Sequence, residues 1–172
     1  AEAGGDTSIH VVAVGDNLVQ QCVYQSAQAH SNDGTSYNFD YCYDNIKPLI
    51  NGDLNIINQE TLICGDGFEV SGSNFNFNSP VELGDADKGE SGLNGCLNYW
   101  DQKMQQYPDI LACGVYRDYV DMQQHIRTKE FNGKTVAFLS YTENTNGYSL
   151  PDNSELEIVY TSQEDIIQQQ IA

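Results

Sequence analysis

Two apolar runs, each closing on polar side chains, constrain this chain more than any other feature. Ser8-Ile9-His10-Val11-Val12-Ala13-Val14 ends in Gly15-Asp16-Asn17, and about forty residues later Asp53-Leu54-Asn55-Ile56-Ile57 ends in Asn58-Gln59-Glu60-Thr61. Short runs rich in Val and Ile, bounded by turn residues, read as buried strands. Between them, residues 17–29 carry Leu18, Cys22, Val23 and Ala27 at helical spacing, enough to cover one face of a sheet. Ligands of an open α/β sheet bind just beyond the carboxyl ends of its strands, where side chains from separate strands converge. The two runs therefore deliver the oxygen-bearing groups of Asp16, Asn58 and Glu60 to one sheet edge. The same residues also suit a structural role, Asp16 and Asn58 as turn formers bonding their own backbone and Glu60 as a solvated charge at a helix start.

The rest of the chain alternates in the same way. Residues 31–41 are a loop by their turn residues, and 43–50 a short helix weakened by Pro48. Residues 63–80, rich in Gly, Asn and Ser, should run over the surface as a substrate wall. Leu93, Cys96, Leu97, Trp100 and Met104 mark an amphipathic helix over 88–106 that stops at Tyr107-Pro108. A third strand is expected over 110–116. Residues 126–131 and 134–141 flank Asn132-Gly133, the signature of a type I′ hairpin. An edge strand at 157–160 and a polar tail of Gln and Ile close the chain.

A length of 172 residues fits a single domain, 1–172, with one core. Acidic residues number 25 against 7 basic ones, a formal charge of -18, so the field repels nucleic acid and anionic lipid and favours cations or a basic partner. No stretch has the length of a membrane span, and the chain reads as soluble or already processed, with its first six residues a stub after cleavage. The five cysteines show no Cys-x-x-Cys spacing, which argues against a zinc knuckle and leaves two readings, small buried hydrophobes or one or two disulfides. Abundant Asn, Gln, Ser and Tyr with few Lys suit an extracytoplasmic surface.

Four segments carry a family resemblance. Val14-Gly15-Asp16-Asn17-Leu18, the run from Asp53-Leu54 through Asn58-Gln59-Glu60-Thr61, Asp87-Lys88-Gly89-Glu90-Ser91-Gly92-Leu93, and Val136-Ala137-Phe138-Leu139-Ser140-Tyr141-Thr142 with Asn146-Gly147 resemble, in order and spacing, the bacterial capsule-synthesis CapA family. That family includes poly-γ-glutamate capsule proteins and is similar in fold to calcineurin-like metallophosphoesterases. The resemblance implies an α/β/β/α sandwich with a metal site at the strand ends, where divalent ions (Mn, Mg, Zn or Fe) polarise a phosphoryl oxygen and activate water. It implies Asp16, Asn58 and Glu60 as metal ligands, with Asn17, Thr61, Asp87, Tyr141 and Asn146 lining the cleft. It also implies an extracytoplasmic capsule-assembly role, with an anionic polymer precursor or phosphoester as substrate, other capsule-assembly proteins as partners, and membrane contact only through an anchor outside this chain.

The chain departs from the family pattern in two places. Glu82-Leu83-Gly84-Asp85-Ala86-Asp87 stands where the family has an Asn-Asn-His segment, so a missing segment is expected near 86–87. The family's later histidine motifs have no counterpart, so the chain is expected to be an incomplete N-terminal portion, the alternative being a pared-down relative that kept the scaffold and lost the chemistry, and His10, His30 and His125 match no ligand position. Two metals of four to six ligands each cannot be closed by this set, so activity as a phosphoesterase is not expected from these residues alone. A non-catalytic cell-surface scaffold, binding a polymer through the Tyr- and Asn-rich loops 31–41 and 71–79, is the alternative. A calcium-stabilised structural role for residues 85–90 is a third reading, weakened by the absence of an EF-hand's glycine and distal Glu.

Overall fold

The computed structural model describes residues 8–60, 71–73, 76–78, 90–145 and 149–172. Its first unit is the expected crossover. Strand β1 (Val11–Asp16) pairs in parallel with β2 (Leu54–Asn58), with Val11 opposite Leu54 and Val14 opposite Ile57. Helix α1 (Gln21–Ala29), the short α2 (Asp40–Tyr43) and a 3-10 turn at Lys47–Leu49 make the connection. The helix expected over 43–50 is thus two separate turns, the second carrying Pro48, whose missing N–H is tolerated in a first turn.

Two details of this unit differ from the sequence expectation. Helix α1 starts four residues late, because Asn17 still continues the sheet through its N–H, which donates to the Asn58 carbonyl at 2.8 Å. Its inward side is buried Ala27 and partly buried Val23, continued by buried Val19 ahead of the helix, whereas Leu18 and Cys22 are exposed. Phe39 closes this cluster, with Tyr24, Tyr37 and Tyr43 packed around it.

Two short strands, β3 (Ser71–Ser73) and β4 (Asn76–Asn78), form an antiparallel pair inside the segment expected to be loop. Helix α3 (Glu90–Gln106) buries Leu93 and Cys96, and its Met104 sulfur accepts the Ala112 N–H at 3.4 Å. The third strand expected over 110–116 is absent. Gly114 sits at φ +118, outside strand geometry, and only Tyr116 bridges outward, exchanging both backbone hydrogen bonds with Glu157 at 2.9 and 3.0 Å.

Helix α4 (Tyr119–Gln124) was not expected, yet its start is written in the sequence. Asp118 caps the Asp121 N–H at 2.7 Å while the Asp121 carboxylate reaches back to the Arg117 N–H at 3.0 Å. The hairpin of β5 (Arg127–Phe131) and β6 (Lys134–Phe138) has the expected register, with Asn132 at φ 49 and Gly133 at φ 75 in a type I′ turn. The edge strand at 157–160 reduces to isolated bridges, and the polar tail is helix α5 (Glu164–Ile171). Ile166 and Ile167 of α5 pack on a second core cluster of Tyr116, Met122 and Val159, and buried Gln170 donates to the Met122 carbonyl at 2.9 Å.

The molecule is therefore mixed α/β. Its described strands form three two-stranded sheets. Thiols of Cys22, Cys42 and Cys113 are free. No helix among the described residues is long and apolar enough to cross a membrane. The expected break near 86–87 and the acidic stretch 85–89 lie outside the described residues.

Candidate functional site

The strand ends of β1 and β2 are shaped by one extra residue. The register runs Val14 to Ile57 and then Asp16 to Asn58, so Gly15 is a bulge in β1. Such a bulge re-aims the side chains that follow it. Here it sets Asp16 directly opposite Asn58, whose amide Nδ2 donates to Asp16 Oδ1 at 2.7 Å. Glu60 lies two residues past the end of β2, close to Asp16. Burial raises the Glu60 carboxyl above the usual range, and the negative charge and hydrogen bonding of Asp16 raise it further, so the two carboxyls are neighbours.

Asn17 and Gln59 occupy the opposite side. Asn17 Nδ2 donates to Gln59 Oε1 at 2.6 Å, and Gln59 Nε2 returns to the Asn17 carbonyl at 3.4 Å. Tyr43 then donates its hydroxyl to Asn17 Oδ1 at 2.9 Å, and burial pushes that phenol up. The strand ends thus carry a carboxylate–amide–carboxylate face and an amide–amide–phenol face. Gln59 and Tyr43 were missed by sequence reasoning. Gln59 was legible from strand alternation, but nothing in the sequence joins Tyr43 to a residue 26 positions away.

Of the remaining site expectations, only Tyr141 lies among the described residues. Tyr141 packs on the second core cluster, where its hydroxyl is enclosed without a partner among the described residues. Thr61, Asp87 and Asn146 lie outside the described residues. His10 precedes β1, His30 ends α1 with its ring stacked on Tyr41 at 4.0 Å, and His125 ends α4 against Asp121 at 3.1 Å. His30 and His125 thus have structural settings of their own, and exposed His10 stands at the opposite end of β1 from Asp16.

A cavity of about 550 Å³ opens beside the strand ends, walled by the segment from Ser31 to Asp40 and by Tyr43. Its frame is Asp33, whose carboxylate accepts the N–H groups of Ser36 and Thr35, both at 2.8 Å, and the Ser36 hydroxyl at 2.9 Å. Those donors hold the Asp33 carboxyl far below the usual carboxylate range. Tyr43 belongs to both places, its ring in the cavity wall and its hydroxyl on Asn17.

Known proteins point to the same stretch of chain. Residues 10–86 match the family model of the bacterial capsule synthesis protein PGA_cap. The resemblance to the capsule-synthesis family therefore stands over β1, α1, α2 and β2, with Asp16, Asn58, Glu60 and the whole cavity wall inside it. The PGA_cap match ends at Ala86, so the motif resemblances at 87–93 and 136–147 lie outside it. No curated protein and no solved structure matches the chain.

Proposed function

We propose that this chain contributes to capsule synthesis as an extracytoplasmic, calcineurin-like protein in which Asp16, Asn58 and Glu60 hold a divalent cation. The observation that carries the reading is the bulge at Gly15, which turns side chains from two strands into one exposed donor cluster inside the PGA_cap match. Two neighbouring carboxyls, one of them biased toward its protonated form by burial and then by the other's charge, form a setting that a cation relieves. Oxygen donors of this kind suit a hard ion such as Mg or Mn more than Zn. Among the described residues no three His, Cys, Asp or Glu side chains stand together, so the ion would rest on two carboxyls and the Asn58 amide and be completed by water.

When bound, such an ion polarises a phosphoryl oxygen and lowers the pKa of a coordinated water. The chain's own residues then orient it. Asp16 and Glu60 supply charge, and the Asn58 amide, already bonded to Asp16, fixes that carboxylate's direction. The cation also answers an electrostatic difficulty. A chain of charge -18 repels an anionic polymer precursor or phosphoester, and a bound cation gives such a substrate a local point of attraction. A complete sandwich fits the exposure of Val11, Ile56 and Ile57 on the β1–β2 pair, since parallel strands are normally covered on both faces.

The test is titration calorimetry with Mn or Mg. Asp16→Ala and Glu60→Gln should each weaken binding by about tenfold or more while the circular dichroism spectrum is kept. Binding unaltered by both changes, or absent from the unsubstituted protein, overturns the metal site. The alternative, a non-catalytic cell-surface binding domain, is favoured by the polar cavity at residues 31–43 and predicts ligand binding indifferent to Asp16.

A further inference from the structure

The cavity beside the strand ends has a chemistry of its own. Four backbone donors of this segment are spent internally: the Gly34 N–H on Ser31 Oγ at 2.9 Å, Thr35 and Ser36 on Asp33, and Asp40 on Asn38 Oδ1 at 3.0 Å. A peptide that binds by adding a strand needs a row of open backbone groups, and this wall does not offer one. An anion needs inward donors or a cation. Those donors are taken, and the nearby Lys47 ammonium faces Asp40 at 3.8 Å.

What the wall does present is the partly exposed rings of Tyr37 and Tyr43 next to the exposed amide of Asn32 and the carboxylate of Asp40. Tyr37 is held by Phe39, stacked at 6.3 Å, and by the edge of Tyr24 at 6.2 Å, so its ring is a fixed platform. Rings that receive the apolar face of a ligand, beside groups that accept hydroxyl protons and donate amide protons, match a sugar ring with an acetamido group. The volume, about 550 Å³, is that of a small-molecule site.

We propose that this cavity is a binding subsite for a non-anionic saccharide unit, joined through the Tyr43–Asn17 hydrogen bond to the strand ends, which carry the Asp16–Asn58–Glu60 cluster on their other side. As a subsite it rests on the proposed metal site, because the saccharide is the part of a phosphoester that does not react. As a cavity that binds sugar it does not, and its test uses no metal. A saccharide seated there supplies binding energy remote from the reacting centre, which holds a phosphoryl group at the strand ends.

The experiment is a two-dimensional amide NMR titration of the protein in chelator with chitotetraose, and separately with tetraglutamate. Chitotetraose should shift the amides of residues 31–43 and of Asn17, saturating in the millimolar range, while tetraglutamate leaves them in place. Asn32→Ala and Asp40→Asn alter exposed side chains outside the core, and together they should weaken the saccharide by about fivefold. Saccharide shifts confined to other residues, no shifts at all, or equal shifts with tetraglutamate overturn the proposal. Retained saccharide binding beside failed metal binding removes only the metal reading; lost saccharide binding beside intact metal binding removes only this one.

Discussion

At the scale of single residues, the β1–β2 pair holds two glycines with opposite demands, Gly52 at its amino end and Gly15 at its carboxyl end. At Gly52 a Cβ would meet backbone atoms on three sides, the His10 carbonyl oxygen at 2.8 Å, the Leu54 carbonyl oxygen at 2.9 Å and the Val12 nitrogen at 3.0 Å. Backbone cannot yield as a side-chain tip can, so Gly52→Ala should lower stability in urea by about 1–3 kcal/mol. Gly15 has open space where its Cβ would stand, and Gly15→Ala should change stability by less than about 0.5 kcal/mol. Equal effects of the two changes would refute this contrast. Asp33 makes a prediction in acid. Its folded-state pKa is depressed by the Ser36 and Thr35 N–H groups, so its bracing of the loop is present above the unfolded value and is lost only as pH falls through the folded one. Amide shifts of Thr35 and Ser36 should therefore hold at about pH 3, below the ordinary Asp value of about 3.9. Movement of those peaks with a midpoint near the ordinary value would show the carboxylate is not held. Asp16 and Asn58 were legible as strand-end residues, but their direct bond was not, because it needs the extra residue at Gly15 to bring them into line.

Elements differ in how openly the sequence announces them. The β5–β6 hairpin was plain because Asn132 and Gly133 are the residues that accept two consecutive positive φ angles. Gly133 has nothing near its absent Cβ, so Gly133→Ala should cost only the left-handed backbone, roughly 1 kcal/mol, read from thermal or urea unfolding. A loss well above that, with a collapsed hairpin spectrum, would mean that the turn sets the register alone. Helix α3 was equally plain from its repeating apolar stripe. The expected strand over 110–116 failed because apolar content was read as strand while Gly114 holds a backbone angle no strand uses. Helix α5 was passed over because its Gln residues hid the pair Ile166 and Ile167, which find their partners only when Met122 and Val159 arrive from elsewhere in the chain.

Across the whole molecule, charge is the dominant field. With 25 acidic and 7 basic side chains, compact structure works against self-repulsion. Few ion pairs among the described residues offset it, and those of Arg117 with Asp101 and of Arg127 with Asp121 sit together on the α3–α4 side. Raising monovalent salt from about 0.01 M to about 0.15 M shortens the screening length from about 30 Å to about 8 Å, so the melting temperature should rise by several degrees. A melting temperature that falls or stays level would mean that local ion pairs outweigh the net charge. The sequence by itself determined the parallel strand–helix–strand unit, the type I′ hairpin, the α3 stripe and the acidic field, since each follows from local periodicity, turn chemistry or composition. The tertiary structure alone decided that Asn58 bonds Asp16, that Tyr43 joins a cavity wall to Asn17, and that α5 closes the second core. Those contacts join residues that are distant along the chain, and their distances are set by a bulge, a glycine angle and packed rings rather than by any pattern within a run of neighbours.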